Sequence, residues 1–438
     1  MTYEFDRRGF MKAAALASVA GVPSGSSPNI LVIRADQLRK HELGCYGNVQ
    51  AITPNIDALA TAGRKFNRAY CTAPVCSASR VSFDLGKYPH ALPNLNKLHP
   101  GDRTLHGLLQ NAGYYTWHIG KWHKTPSYLS NSTFPQSVPS EILRGLDYHA
   151  GHEFKHELVN SLYYKNGGSA QFQGGPWRST KYEALAEVQI GAAMGLGRPF
   201  YGVLDLEPPH TPLGEINGTK WDVFNPSAMP VRPNVNAASL PFAQKSYAQY
   251  YGMTHSVDEQ VGDMMGFLQS SGLLANTVVF FTSDHGAHLG SHGHFAANAQ
   301  KRTMYEEALR IPLIYYDGSA PSENDELFGI IDFAPMILTL AGVASAPGLH
   351  SFKKAYGGAL YIQELADGPE AGAFRGIVRD DGMKYARAAG TLGPWILYDS
   401  VADPYDETNL VGTGDPREAE MDVLLYQAAG NIGDVIPW

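Results

Sequence analysis

The chain has 438 residues, of which 44% are hydrophobic and 17% are charged, and its formal net charge is −8. This composition argues against disorder, and the acidic balance argues against a nucleic-acid partner, which would require a basic face. The length predicts one large domain with a smaller second domain, and three cysteines (Cys45, Cys71 and Cys76) are too few for a disulfide framework.

The N-terminus predicts an export signal in residues 1–27. Residues 6–12 (DRRGFMK) form a charged segment, and an apolar stretch follows over residues 13–22. The paired arginines before Gly-Phe resemble the twin-arginine signal of bacterial export. The apolar stretch is too short to cross a membrane, and no other segment of the sequence looks transmembrane. We therefore expect a periplasmic or secreted bacterial protein without a membrane span.

Beyond this signal, short apolar runs alternate with helical patterns, which predicts an α/β fold. In chain order, the predicted strands are residues 29–35, 114–119, 200–206, 277–282 and 311–316. The predicted helices are residues 53–63, 105–111, 246–270 and 333–340. Residues 125–181 lack a clear period and are rich in Ser, Asn, Gly and aromatic residues. We interpret them as long loops around a pocket, with surface insertion as the alternative.

The chain turns rich in Pro, Gly and Ser near residues 344–358, and this change marks the predicted domain boundary. Residues 28–345 would form the main α/β domain, and residues 346–438 a small α+β subdomain.

Polar residues of the kinds used in catalysis follow several of the predicted strands. Asp36 comes directly after the first strand, and Asp284 comes directly after the strand at residues 277–282. In open α/β sheets, ligands bind at the carboxyl ends of the strands. An isolated acid at such a position usually caps a turn, but here the acids have several companions. The polar residues that would converge on this edge are Asp36, Gln37, Lys121, His123, His210, Asp284, His285 and Lys301.

Five segments of the chain resemble motifs of the type I, formylglycine-dependent sulfatases of the alkaline phosphatase-like superfamily. Residues 76–80 (CSASR) resemble the nucleophile signature Cys/Ser-x-Pro/Ala-x-Arg. The other four are residues 120–123 (GKWH), 283–293 (SDHGAHLGSHG), 301–307 (KRTMYEE) and 397–410 (LYDSVADPYDETNL). The resemblance implies a large mixed, mostly parallel sheet flanked by helices, with a small C-terminal antiparallel sheet.

In that family an enzyme oxidises the signature cysteine, here Cys76, to formylglycine, so a maturation enzyme is an implied partner. The implied catalytic residues are Cys76, Arg80, Lys121, His123, His210 and Lys301. By resemblance, Arg80 holds the oxyanion of the nucleophile, and the two lysines bind sulfate oxygens. His123 would hydrogen-bond the hydrated aldehyde, and His210 would protonate the leaving oxygen.

The resemblance also implies one divalent metal ion. Its implied ligands are Asp36, Gln37, Cys76 as formylglycine, Asp284 and His285. The commonest version of the family has three aspartates and an asparagine, whereas Gln37 and His285 here leave two carboxylates. Ca²⁺ is the usual ion of the family. Fewer charged oxygens weaken Ca²⁺ binding, and an imidazole tolerates softer ions such as Mn²⁺ or Zn²⁺. Mg²⁺ is a further alternative.

The favoured function is hydrolysis of sulfate monoesters of carbohydrates, with the rim aromatics Tyr163, Tyr164, Phe172 and Trp177 as sugar-stacking candidates. One alternative is a phosphonate monoester or phosphodiester hydrolase of the same superfamily. Another is a catalytically dead relative that only binds sulfated glycans. Residues 84–87 (DLGK) depart from the usual LTGR that the maturation enzyme recognises. An unmodified Cys76 would favour this last alternative.

Overall fold

The computed structural model describes residues 27–92, 97–125, 137–153, 156–159, 161–172, 177–294, 301–344, 358–365, 373–389 and 393–436. The strands are β1 (Asn29–Ala35), β2 (Arg64–Phe66), β3 (Ala69–Tyr70), β4 (Tyr115–Lys121), β5 (Tyr148–His152), β6 (Leu162–Lys165), β7 (Ala170–Phe172), β8 (Phe200–Leu206), β9 (Thr277–Ser283), β10 (Leu313–Tyr316), β11 (Ser322–Asn324), β12 (Phe328–Gly329), β13 (Ala359–Glu364), β14 (Phe374–Arg379), β15 (Met383–Ala388) and β16 (Gly393–Asp399). The helices are α1 (Pro54–Ala62), α2 (Cys76–Leu85), α3 (Leu105–Asn111), α4 (Arg178–Gly195), α5 (Leu240–Ser270), α6 (Glu306–Leu309), α7 (Phe333–Leu340) and α8 (Arg417–Ile432).

The larger sheet has ten strands among the described residues, in the order β11-β2-β10-β9-β1-β8-β4-β5-β6-β7. Its centre is parallel. Strand β1 lies between β8 and β9 and runs parallel to both, and β4 pairs in parallel with the other edge of β8. Antiparallel pairs occur nearer the margins, between β9 and β10 and between β5 and β6. The predicted mixed sheet, mostly parallel and flanked by helices, is confirmed.

Both faces of this sheet are buried, which explains the continuous apolar runs of the central strands. Ile30 and Val32 of β1 point into a core shared with α2, α3, α7 and the C-terminal sheet. Leu31 and Ile33 point into a second core shared with α1, α4 and α5. The sheet is therefore the middle layer, and residues just beyond its strand ends are held between two packed faces.

Most predicted elements occur where the sequence placed them, with two differences. Helix α5 begins at Leu240 rather than at residue 246, with Pro241 in its first turn. The larger error concerns residues 125–181, which were predicted as loops. They contribute β5, β6, β7 and the start of α4. All three strands have five residues or fewer, too few for a sustained periodicity, and β6 is partly exposed as well.

The C-terminal part forms a separate four-stranded antiparallel sheet, β13-β14-β15-β16, followed by α8. This confirms the predicted small antiparallel sheet. Most of the Pro/Gly/Ser-rich segment predicted as the domain boundary lies outside the described residues, as does the predicted export signal except for its last residue. Within the described ranges, no helix is both long enough and apolar enough to cross a membrane.

Candidate active site

The carboxyl ends of β1, β4, β8 and β9 meet at one edge, because these four strands are neighbours and run in parallel. Asp36 follows β1, Lys121 ends β4 and Asp284 follows β9. Gly120 permits the approach of β4, since it has φ of +114° and a Cβ there would lie 1.9 Å from the carbonyl oxygen of Asp205. The sheet order thus brings together residues that are far apart in sequence.

Cys76 is the first residue of α2, as predicted, and its side chain is buried. The Cys76 Sγ atom lies 3.0 Å from Nζ of Lys301, 3.0 Å from Nε2 of His285 and 3.8 Å from Nζ of Lys121. Burial opposes ionisation, but the charges of Lys121 and Lys301 hold the pKa of the Cys76 thiol well below its usual value. The position at a helix N-terminus favours negative charge as well.

Four buried side chains form a cluster that suits a cation: Asp36, Cys76, Asp284 and His285. Their ligand atoms all lie within 4.8 Å of one another. His285 Nδ1 lies 2.8 Å from the carbonyl oxygen of Gly286, so the Nδ1–H donates there and Nε2 presents its lone pair. That Nε2 atom is 3.7 Å from Asp284 Oδ1 and 3.9 Å from Asp36 Oδ1. Two carboxylates and a correctly oriented imidazole therefore fit a divalent metal ion.

Gln37 lies beside this cluster, with its backbone N–H donating to Asp284 Oδ1 at 2.9 Å. Its Oε1 accepts from Nζ of Lys301 at 3.1 Å, and its buried amide nitrogen has no hydrogen-bond partner among the described residues. Gln37 has φ of +65° and His123 has φ of +51°, a region that costs a side-chain-bearing residue about 1–3 kcal/mol. Such conformations concentrate at functional sites, and both residues were predicted site residues.

The carboxylates are held by cations. Lys121 forms a short ion pair with Asp36, which lowers the pKa of that carboxyl although burial and the Cys76 thiolate oppose it. The guanidinium of Arg80 contacts Asp284 Oδ2 at 3.0 Å and Asp36 Oδ2 at 3.4 Å. It also donates to the carbonyl oxygen of Lys121 at 3.0 Å. These contacts of Arg80 are with the carboxylates of the cluster rather than with Cys76.

His210 and Lys301 contact each other beside Cys76. Lys301 Nζ lies 3.1 Å from Nε2 of His210, whose Nδ1 lies 2.6 Å from the carbonyl oxygen of Thr211. Burial, Lys121 and Lys301 lower the pKa of His210, although Asp36 opposes the shift. The neutral ring therefore carries its proton on Nδ1 and accepts from Lys301 at Nε2. Burial likewise lowers the pKa of His123 to about 3.

The structure thus brings together every predicted site residue. It also adds two residues that the sequence reasoning missed. The ring of His156 stacks on that of His210, with 3.9 Å between centroids and 10° between planes. Asp205, a lone charge in the apolar strand β8, accepts from Arg80 Nη1 at 2.9 Å. His156 gave no signal beyond its residue type, whereas Asp205 could have been noticed beside Arg34, the lone charge of β1.

The predicted stacking aromatics occupy different places. Tyr163 and Trp177 are buried in the second core, where Trp177 packs on Trp221 with 5.1 Å between ring centroids. They are therefore core residues, and their prediction as exposed sugar platforms is wrong. Tyr164 is partly exposed, and the side chain of Phe172 lies outside the described residues. An aromatic residue in a loop-like sequence does not reveal whether its ring faces a cleft or a core.

The sequence matches the Sulfatase family over residues 28–343. It is 28% identical over 437 residues to an ulvan-active sulfatase of Formosa agariphila, covering 93% of this chain and 82% of that protein. It is 26% identical over 488 residues to an endo-4-O-sulfatase of Bacteroides thetaiotaomicron, covering 94% and 93% of the two chains.

The fold is shared with a crystal structure described as a putative sulfatase from Bacteroides fragilis. The TM-score is 0.84 at 24% identity, and the alignment covers 95% of this chain and 98% of the other. The family match spans the main sheet and all the residues of the cluster around Cys76. The chain therefore belongs to the Sulfatase family and is a sulfuric ester hydrolase.

Proposed function

We propose that this protein hydrolyses sulfate monoesters of carbohydrates, with a nucleophile made from Cys76. The observation that carries the proposal is the pair of ammonium groups around that residue. Lys301 Nζ lies 3.0 Å and Lys121 Nζ 3.8 Å from Cys76 Sγ. A sulfate monoester offers three unsubstituted oxygens to such donors. Electrostatic stabilisation of charge at those oxygens is the largest contribution that we expect from this site.

Two groups complete the proposed site. The formylglycine hydrate would supply the attacking oxygen, and a divalent ion would lower its pKa and polarise the sulfuryl group. Asp36, Asp284, His285 and Gln37 would hold the ion. Ca²⁺ is the first candidate and Mg²⁺ an alternative because the carboxylates are oxygen donors. Mn²⁺ is an alternative because the imidazole suits a softer ion.

The chain's own residues would bind the ester and move its protons. Lys121 and Lys301 would bind sulfuryl oxygens, and Arg80 would hold the carboxylates that face the nucleophile. His210 would act as the general acid: once its Nε2, which now accepts from Lys301 Nζ at 3.1 Å, has bound a proton, it would give that proton to the leaving oxygen and return to the neutral ring. His123, buried beside Cys76, would hydrogen-bond the nucleophile.

A carbohydrate substrate is supported by the named activities of the relatives, one active on ulvan and one an endo-4-O-sulfatase. The phosphodiester alternative fits the two lysines less well. A diester would place an organic substituent against one ammonium and leave that group poorly paired, at a cost of about 1–3 kcal/mol. A catalytically dead binding protein would not require the contact between Lys301 Nζ and His210 Nε2, which a proton donor to the leaving oxygen does require.

We also propose the arrangement of the whole chain. Residues 1–27 would direct export to the periplasm or the medium, residues 28–345 would form the catalytic domain, and residues 346–438 would form the C-terminal subdomain. The maturation enzyme would modify Cys76 before translocation, because a twin-arginine route moves folded protein. The sequence of residues 84–87 leaves open how well that enzyme recognises it.

Two measurements test the proposed function. The intact mass and a tryptic peptide map of the purified protein should show the aldehyde at Cys76, which lowers the mass of a cysteine by about 18 Da. Catalytic efficiency should then be compared for a sulfated monosaccharide, an aryl sulfate and an aryl phosphodiester. We expect the sulfated sugar to be the best of the three. A higher catalytic efficiency for the phosphodiester would reject the proposed sulfatase activity. A catalytic efficiency for the sulfated sugar no higher than that for the aryl sulfate would reject only the proposal that the leaving group is a sugar.

A further inference from the structure

Two charged residues face each other in the middle of the main sheet. Arg34 of β1 and Asp205 of β8 are register partners, and both are fully buried. Arg34 donates from Nε to Asp205 Oδ1 and from Nη2 to Oδ2, each at 2.6 Å. A buried ion pair is weak evidence for stability, because removing two charges from water offsets much of their attraction. These charges therefore call for another explanation.

Asp205 has further donors on the same carboxylate. Its Oδ2 accepts from Arg80 Nη1 at 2.9 Å and from His118 Nε2 at 2.7 Å. Burial holds the pKa of His118 well below its usual value, so its ring is neutral and the Nε2–H is the donor. Four N–H groups from three residues thus occupy the acceptor positions of one carboxylate. Such a carboxylate has little freedom to rotate.

The guanidinium of Arg80 connects Asp205 with the proposed metal ligands. One edge faces Asp205, and the other contacts Asp284 Oδ2 from both Nε and Nη2 at 3.0 Å. Nη2 also lies 3.4 Å from Asp36 Oδ2. Because a guanidinium is planar and rigid, fixing one edge fixes the direction of the donors on the other.

Arg34 supports this arrangement from a second direction. Its guanidinium lies over the ring of Phe83, 4.7 Å from the centroid. Phe83 is on α2, the helix that also carries Cys76 and Arg80. Arg34 therefore contacts both the carboxylate that holds Arg80 and the helix that presents it.

We propose that Asp205 is a positioning residue: braced by Arg34 and His118, it fixes the guanidinium of Arg80 and through it the carboxylates of Asp284 and Asp36. The proposal rests on the proposed function, because it gives Asp205 a part in shaping the metal site. The competing explanation is that Asp205 only neutralises Arg34. The two explanations differ in what happens when both charges are removed together.

The test uses the full chain in three forms: Asp205→Asn, Arg34→Leu with Asp205→Leu, and the control Arg375→Leu with Asp434→Leu. The control removes another buried pair, whose Nε–Oδ2 distance is 2.6 Å, from the C-terminal sheet and the segment after α8. For each form we would measure the melting temperature, kcat and KM for an aryl sulfate, and Mn²⁺ affinity by calorimetry on the metal-stripped protein.

We expect Asp205→Asn to lower the melting temperature, since it leaves two guanidinium groups against a neutral amide. The double variant at Arg34 and Asp205 should regain only the part of that loss that comes from Arg34, because Arg80 and His118 still lack their acceptor on residue 205. Its kcat should stay about 10- to 100-fold below wild type, and its Mn²⁺ affinity should fall by a similar factor, as is usual for residues that support metal ligands. KM should change much less than kcat. The control should lower only the melting temperature.

The proposal is overturned if the double variant matches the wild type in kcat and in Mn²⁺ affinity within twofold. It is also overturned if the control pair lowers kcat as much, because the effect would then be a general one. If Asp205→Asn does not fold, the double variant alone decides. A wild-type protein that binds Mn²⁺ but hydrolyses no sulfate ester would instead contradict the proposed function, while the metal affinities would still test the role of Asp205.

Discussion

Buried charges occur in two clusters that resemble each other in composition and differ in what they face. At the active site, Arg80 joins Asp205 on one side to Asp284 on the other. In the contact between α6 and the C-terminal sheet, Lys384 joins Glu306, at 3.2 Å, to Asp406. The members of both clusters are almost fully buried.

In the second cluster, the charged groups contact one another. Glu306 also pairs with Arg310 at 2.7 Å, and its backbone N–H donates to Asp406 Oδ2 at 3.0 Å. In the first cluster, the carboxylates of Asp36 and Asp284 have further oxygens, which face Cys76 and His285. The comparison teaches that burial and pairing alone do not identify a functional cluster. The first cluster differs from the second because ligand atoms of several of its residues are directed at one shared point.

The largest expected effect on kcat comes from removing a carboxylate of the first cluster. Asp284→Ala and Asp36→Ala should each lower kcat at least about 1,000-fold, because each removes a proposed metal ligand and a carboxylate that pairs with a buried cation. Bound metal, measured by elemental analysis after dialysis, should fall with the activity. The control Asp434→Ala should keep both. Full metal occupancy in the two site variants would contradict the assignment of the ligands.

The matching change in the second cluster is Lys384→Met. It leaves Glu306 and Asp406 without their shared cation and should lower the free energy of unfolding by about 3–5 kcal/mol. At a temperature where the variant is folded, kcat should equal that of the wild type. Denaturant unfolding and steady-state kinetics would measure the two quantities, with Lys384→Arg as the charge-retaining control. A large loss of kcat in the folded variant would show that the two clusters are coupled.

A smaller effect should follow from exchange of the metal. Two carboxylates and an imidazole carry less charge than the usual three-aspartate site, so selectivity for Ca²⁺ should be weaker. After chelation, Mn²⁺ should restore kcat to within about tenfold of the value with Ca²⁺. Activity titrations with each ion on stripped protein would measure this. Recovery with Ca²⁺ alone would show that His285 does not broaden the choice of ion.

The smallest effect should come from the ring that stacks on His210. His156→Ala removes a stacking contact worth about 0.5–1.5 kcal/mol and should lower kcat about 2- to 10-fold. His156→Phe keeps a flat ring and should restore most of that loss. The control is His90→Ala, which removes a histidine stacked on Tyr88 elsewhere in the chain. Equal kcat for the Ala and Phe variants would exclude stacking as the cause.

The sequence alone determined five of the ten strands described in the main sheet, including its parallel centre, and the candidate site residues at their ends. Buried parallel strands require continuous apolar runs, so β1, β8 and β9 were visible, and the polar residues just after them were the expected ligands. The start of α2 at Cys76 was predictable as well. Because strand ends converge in any parallel sheet, convergence could be inferred without knowing the order of the strands.

Only the tertiary structure decided which polar residues touch. The sequence offers no explanation for Arg34, a charged residue in an apolar strand. The register between β1 and β8 places it opposite Asp205. The burial of Tyr163 and Trp177, and the stacking of His156 on His210, depend on how residues 125–181 fold back on the sheet. Strands β5, β6 and β7 of this part of the chain are short, and packing against distant elements rather than local periodicity determines which strands they pair with. Pattern in the sequence encodes which face of a strand is apolar, whereas side-chain contacts depend on neighbours hundreds of residues away.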